Sequence, residues 1–410
     1  MTRFGVGYCE VSDSFAAGVK AAESALQDGD IAPGEADLCF LFCTSRHDAP
    51  MFFDGVKSRI GEVHYFGGFA NGTITNRQFG YDGYQSAVGV LQSDEIDMQL
   101  FRQDGIAFNE FNTGKALFDQ IAAAKLDPDT PLILFFDAVN RQKGRFQMNY
   151  VTPLIEGALG SISQCSNVVG ARLMGDMKFK PTYQWCEDAM IQNSAMALAF
   201  TGDIEMDVLR LEGCAPASAY HTVTDSDGAT ILEIDGRPAT DFIAEMLGPE
   251  IGTDYAKMKF FVTIGKNLGD KWDRQKSVYV NRMCVGINGK RKGLVMAEMD
   301  LETGTEFQLM RRGFEKDLIE DKVRSFIEGI EKEGKEPLFA LYLNCAGRAM
   351  AYSQNETEDV MYVQNAIEDK FPLLGIYEAG ELAMIEKELH VFDWTGVFCL
   401  FSRPKAGLEG

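Results

Sequence analysis

Basic residues are the scarce charge in this 410-residue chain: 39 Lys and Arg stand against 61 Asp and Glu, for a formal net charge of −22. That balance argues against nucleic acid, whose phosphates draw a basic surface. It equally disfavours an anionic membrane surface. No apolar run approaches the length of a membrane span, and the opening "MTRFGVGYCE" lacks the apolar centre of a signal peptide. Among nine cysteines, an odd number, there is no C-x-x-C pair, which fits a reducing compartment better than a disulfide framework. Low-complexity segments and a separable output module are also missing. The expectation is a cytoplasmic globular protein, with no nucleic-acid or membrane partner and, at this length, two domains.

What is present is a repeated turn. "YFGGFANGTI" from Tyr65, "VVGARLMGDM" from Val168 and "LLGIYEAGEL" from Leu373 each carry a glycine, four residues, and a second glycine. Thr73, Asp176 or Glu381 follows, then an aliphatic residue. Each turn is preceded by a strand-length apolar run, "DLCFLFCTSR", "PLILFFDAVNR" or "PLFALYLNCAGR", and then by a stretch of helical spacing. Such runs read as strands buried on both faces. Each first strand finishes near an arginine, Arg46, Arg141 or Arg348, and each unit closes on another strand, the last one read as "DWTGVFCLFS" from Asp393. Residues 37–93, 131–203 and 337–402 are therefore expected to share one strand–helix–strand–strand order. An amphipathic helix from Asp13 to Gln27, capped by Ser12 and buried through Phe15, Val19, Ala22 and Leu26, precedes the first unit. The interval between the second and third turns is nearly double that between the first two. A worn fourth copy is thus expected at "FFVTIGKNLGDKW", with Gly265, Gly269 and Asp270. The fold class is mixed α/β: two domains, 1–213 and 214–410, built from repeated units with mixed sheets and helices packed on them.

A G-x4-G turn invites comparison with a phosphate loop, which needs Lys after the second glycine. Here Thr73, Asp176 and Glu381 take that place, so nucleotide binding by this route is rejected. Asp225 and Asp227 in "TDSDGAT" lack the further acids of a calcium loop and read as a hairpin turn. For the two upstream turns, tight backbone geometry explains the glycines. The third turn gathers chemistry: Cys345 and Arg348 end the first strand, Tyr377, Glu378 and Glu381 surround the turn, and His390, Phe392 and Trp394 alternate on one expected face. An arginine can fork onto a carboxylate while an acid opposite takes an ammonium group, so these parts suit a small zwitterion. The competing readings are an ion pair of Arg348 with Glu381 or Glu378, and plain core packing for Phe392 and Trp394.

These residues resemble the FIST family of bacterial sensory proteins, built of an N-terminal and a C-terminal FIST domain. "ADLCFLFCTSRHD", "VVGARLMGD", "ILEIDGRPA", "NCAGR" and "LLGIYEAGEL" carry the resemblance, in order along essentially the whole chain. It implies a non-catalytic sensor of a small ligand, amino acids among the candidates. The signal would pass to a separate protein such as a histidine kinase or another output module. The ligand-binding candidates are Cys345, Arg348, Tyr377, Glu378, Glu381, His390 and Trp394, with no catalytic residue, metal or cofactor expected. A subset of the family binds haem and responds to nitric oxide. Where those members carry an axial histidine, this chain reads Phe392-Asp393-Trp394-Thr395, and a phenyl ring cannot ligate iron. His390 is the alternative ligand. A further alternative is a cysteine-dependent enzyme, with Cys345 as nucleophile and His390 as base, oriented by Asp393 or Glu381.

Overall fold

The structure, a computed structural model, describes residues 1–141, 148–248, 261–273, 276–313, 316–353 and 356–405. The first unit runs β1 (Thr2–Cys9), α1 (Ser14–Asp28), β2 (Leu38–Cys43), α2 (Ala49–Ile60), β3 (His64–Phe69), a hairpin of β4 (Gly72–Thr75) and β5 (Phe79–Tyr81), and β6 (Ser86–Ser93). The second repeats that order as β7 (Ile96–Asp104), α3 (Glu110–Ala124), β8 (Leu132–Asp137), α4 (Val151–Ile162), β9 (Val168–Leu173), β10 (Gln184–Cys186), β11 (Ala189–Ile191) and β12 (Ser194–Gly202). A third unit opens with β13 (Glu205–Glu212) and is then interrupted.

The interruption contains β14 (Cys214–Pro216), β15 (His221–Asp227), β16 (Thr230–Ile234), β17 (Arg237–Pro238), α5 (Ala239–Leu247), β18 (Thr263–Asn267), β19 (Tyr279–Asn288), β20 (Gly293–Met296) and β21 (Glu306–Arg312). Pairing runs β21–β15–β16–β20–β19–β18 and back to β21, so these strands close a barrel with its own apolar core. The third unit resumes with α6 (Lys316–Lys332), β22 (Lys335–Cys345), α7 (Met350–Ser353), α8 (Val360–Ile367), β23 (Leu373–Glu378), β24 (Glu381–Ile385), β25 (Glu388–Phe392) and β26 (Thr395–Pro404).

In every unit the central strand lies parallel to the strand before the turn and antiparallel to the closing strand. The three expected units are therefore equivalent. The hairpin after each turn does not stay in its own sheet. β4 and β5 join the sheet of β22 and β23, β10 and β11 join that of β2 and β3, and β24 and β25 join that of β8 and β9. The exchange is cyclic, and it locks three six-stranded sheets around one core. Phe40 and Phe66, Phe135 and Phe200, and Phe339 and Phe401 meet there, two from each unit. The helices pack outside, over separate apolar clusters.

The register explains the first glycine of each turn. Gly67 faces Leu41, Gly170 faces Leu134 and Gly375 faces Tyr342. A Cβ at any of them would run into the carbonyl oxygen of that facing residue. Gly170→Ala is accordingly expected to cost about 1–3 kcal/mol, the usual penalty for overpacking, in a urea titration. Gly160→Ala in α4, where nothing lies within 4 Å of the added carbon, should instead be neutral or gain up to about 1 kcal/mol.

Several expectations are corrected. The supposed fourth copy is not one: Gly265 lies in β18, flanked antiparallel by β19 and β21 with Met310 against it, and Gly269 sits on the Lys276 carbonyl. Phe260 of that stretch lies outside the described residues. The first helix is capped by Asp13, whose carboxylate accepts from the Ala16 N–H at 2.8 Å, rather than by Ser12. Its buried face is Ala17, Gly18, Ala21, Ala22, Ala25 and Leu26, so Ala22 and Leu26 lie where expected, while Gly18 touches the Phe52 carbonyl of α2 and Phe15 is left exposed. The closing strand starts at Thr395, not Asp393. Trp394 takes a left-handed φ of 61° that ends β25 and starts β26, so His390 and Phe392 do not share a strand with Trp394. The expected boundary at 213/214 falls between β13 and β14; β13 pairs with β26, and β24 pairs with β9.

Candidate functional site

The third turn is buried and polar, and three parts of the molecule meet at it. Arg348 ends the short turn after β22 with no exposed surface. Its Nε donates to Asp359 Oδ2 at 2.7 Å, its Nη2 stands 2.6 Å from the same oxygen, and its Nη1 donates to the Leu211 and Trp394 carbonyls at 2.7 and 3.2 Å. The ion pair weighed for this arginine exists, but with Asp359 rather than Glu378 or Glu381. The strand-end arginines are not equivalent either. The register places His47 and Asn140 where the third unit has Arg348, while Arg46 and Arg141 are exposed.

Glu378 and Glu381 are fully buried. Glu378 Oε2 accepts the Gly380 N–H at 2.7 Å, whereas both Glu381 oxygens lack a hydrogen-bond donor. Burial raises both carboxyls above the ordinary range, and the negative charges of Glu378 and Asp393 push Glu381 further. Against this turn lies Arg172 of β9, from the second copy of the motif. Its Nη1 donates to Glu298 Oε1 at 2.9 Å and to the Ala297 carbonyl at 3.2 Å, and its Nη2 to Asp393 Oδ1 at 3.3 Å. A Cβ on Gly380 would overlap this guanidinium, which is why the second turn glycine is needed here.

The barrel is tied into the same network. Glu298 accepts from the Val151 and Thr152 N–H groups at 3.1 Å, so it caps α4 and meets the positive end of that helix. Arg282 of β19 forks onto Asp300 at 2.7 Å and donates to the Val391 carbonyl at 2.7 Å. Asp393 Oδ2 accepts the Met283 N–H at 2.8 Å. Arg172, Arg282, Glu298 and Asp300 were not among the sequence candidates. Only Arg172 left a trace, since it sits inside "VVGARLMGDM".

The other candidates are spread around this centre. Cys345 is buried, and desolvation pushes its thiol up to about 12, so it carries no thiolate at neutral pH. Tyr377 is buried edge-on against Tyr81 of the exchanged hairpin, with ring centroids 5.4 Å apart. His390 faces Glu388, 3.6 Å from its Nε2, and the charges of Arg282, Asp300 and Lys266, while Cys345 faces Glu378 and Asp393. Burial lowers the His390 pKa. Phe392 packs in the core with the Arg210 guanidinium 5.3 Å over its ring. A phenyl ring at 392 offers iron no donor atom.

The concave surface beside this centre is a cleft of about 420 Å³ between barrel and core, lined by Cys214, Ala215, Arg311 and Arg312 on one side and Leu211, Glu212, Ile319 and Lys322 on the other. Arg312 ends β21, and its guanidinium lies 3.9 Å over the Trp394 ring. Its Nη2 is buried with no hydrogen-bond partner, and among the described residues no carboxylate pairs with it. Desolvation holds its pKa down at about 10. A cation stacked face-on against an aromatic ring keeps its N–H edge for an acceptor. Trp394, one of the sequence candidates, stacks against Arg312. The adjacent Arg311-Arg312 pair in so acidic a chain was the available signal.

Comparison with known proteins bears on the whole chain. An uncharacterized protein of Methanocaldococcus jannaschii is 22% identical over 339 residues, which is 77% of this chain and 61% of that protein; the chain thus spans less than two thirds of that relative's length. Among solved structures, a chorismatase aligns over 90% of this chain and 93% of its own at 10% identity with a TM-score of 0.34. A cyanuric acid hydrolase from A. caulinodans aligns over 49% and 70%, at 10% identity and a TM-score of 0.26. Likenesses this remote say nothing of what the chain binds. The family models are decisive: the FIST N domain matches residues 37–237 and the FIST C domain residues 239–384. FIST domains are small-ligand sensory domains, and this chain belongs to the FIST family.

Proposed function

We propose that this chain is a non-catalytic sensory protein that binds a small carboxylate in the cleft at Arg312 and passes the signal to a separate protein. The observation that carries this reading is the Arg312 guanidinium, stacked on Trp394, partly desolvated and without a carboxylate among the described residues. A desolvated cation of this kind is stabilised by an anion that forks onto its edge. Arg348 cannot play the part assigned to it from the sequence, since Asp359 and two carbonyls already occupy it. The non-catalytic reading is supported by Cys345, whose buried thiol is held protonated. Amino acids belong to the screen as one class of carboxylate, with Glu212 on the cleft wall as the acid that their ammonium group would meet.

A thermal-shift and calorimetric screen of small carboxylic acids and amino acids tests this. Binding should weaken about tenfold or more in Arg312→Gln, the loss of a charge-assisted hydrogen bond, and Arg312→Lys should restore it only in part. Acids that stabilise Arg312→Gln as strongly as wild type would place the ligand elsewhere.

A further inference from the structure

The cleft has two walls, and they come from different bodies. Arg312 stands on the barrel side, at the end of β21, and Lys322 on the core side, on α6. Consecutive strand residues point to opposite faces, so Arg311 lies on the other face of β21 from Arg312 and supplies charge from the rim. On α6, Lys322 follows Ile319 by three positions, which puts both on one helix face. Ile319 is buried and Lys322 exposed, and Leu211 lines the floor with Ile319. The order across the cleft is therefore cation, apolar floor, cation. Among the described residues the acid on the wall is Glu212, an exposed side chain two residues along β13 from Arg210. Among the described residues the cleft keeps an excess of positive charge within a chain of net charge −22.

We infer that the ligand is a dicarboxylate with an apolar middle, one carboxylate on Arg312 and the other on Lys322, so that it clamps the barrel against the three-unit core. This deepens the proposed function and rests on its placing of the ligand at Arg312. A monoacid satisfies one wall only. An added ammonium group meets Glu212, an exposed carboxylate in water, and gains little there. A ligand bridging the two walls also states what is sensed mechanically: closure of the seam between barrel and core.

The test is calorimetry on the full chain with succinate, glutarate and adipate, each matched to the monoacid of equal length, butyrate, pentanoate and hexanoate, and with aspartate beside succinate. In wild type the best diacid should bind about tenfold or more tightly than its monoacid, the gain from one further charged contact. Lys322→Gln, an exposed position whose change leaves folding intact, should bring the diacid down to the monoacid level, and Arg312→Gln should remove both. Aspartate should bind no better than succinate. Equal affinities for diacid and monoacid in wild type, or a diacid preference that survives Lys322→Gln, would overturn the inference while leaving a monocarboxylate site at Arg312. Tighter binding of aspartate would overturn the simple dicarboxylate in favour of an amino acid. If no acid of either series binds, both this inference and the placing of the site at Arg312 fall.

Discussion

Arg172→Ala should cost at least about 3–5 kcal/mol, the toll of removing one partner from a buried ion pair. That is enough to unfold a domain of ordinary stability. The change strips the cation from Glu298 and Asp393, both fully buried, and from the field that lowers Glu378. Those carboxylates then stand desolvated, and among the described residues they keep the N–H groups of Val151, Thr152 and Met283, the Thr152 hydroxyl and the more distant charge of Arg282. The guanidinium is also the contact between the second unit, the third turn and the barrel, so its loss loosens three bodies together. Urea denaturation measures the effect. Lys115→Ala, which breaks an exposed pair with Asp119 at 2.6 Å on α3, provides the scale, since such pairs contribute about 0.3–0.5 kcal/mol. A loss at Arg172 no larger than that at Lys115 would mean that the network does not hold these parts together.

Stability should fall as pH rises from about 5 to 8, and Glu381→Gln should remove much of that fall. Both Glu378 and Glu381 have carboxyl pKa values raised by burial, Glu378 to about 7. A carboxyl that is harder to ionise in the folded than in the unfolded state favours folding while it is protonated. The sign follows: below the unfolded value near 4.5 the pair carries no penalty, and the penalty grows as pH climbs to the folded value and is complete above it. Each pH unit between the unfolded and folded values corresponds to about 1.4 kcal/mol, so Glu378 alone makes an effect of about 3 kcal/mol, and Glu381 acts in the same direction. The groups that face them are Arg172 on β9, Asp393 before β26 and Cys345 on β22. At Glu378 the shift is opposed by its hydrogen bonds with Glu381 and the Gly380 N–H and by the Arg172 charge. The neutral amide of Glu381→Gln keeps the shape and removes one ionisation, so the variant should be the more stable protein at pH 8 and close to wild type at pH 5. Melting temperatures of both proteins across that range decide it; parallel profiles would show that the pair is not the titrating element.

Much of the fold was legible because it rests on local rules. "DLCFLFC", "PLILFFD" and "PLFALYLNC" are apolar without interruption, which a strand tolerates only when both faces are covered, and helices outside with a shared core inside cover them. The first turn glycines were legible for the same reason, because the lack of a Cβ is a demand of the adjacent strand and shows in one-letter code. The polar character of the third turn was legible too, and its buried charged residues need partners wherever they lie.

The identity of the partners was decided by tertiary structure alone. Arg348 meets Asp359, eleven residues on and across the loop after β22, although Glu378 and Glu381 looked equally suitable. Gly380 is a glycine because Arg172, from a different copy of the motif, lies against it. Arg312 reaches Trp394 only because the barrel, inserted between β13 and α6, returns its last strand beside the core. Periodicity reports which side of an element is covered, and a turn residue reports local backbone geometry. Neither reports which distant segment does the covering, and here the hairpins are passed cyclically from each unit to its neighbour. The repeat, the family and the polar character of the third turn were thus determined by the sequence itself. The cation presented to the cleft was determined by long-range pairing, which local pattern does not encode.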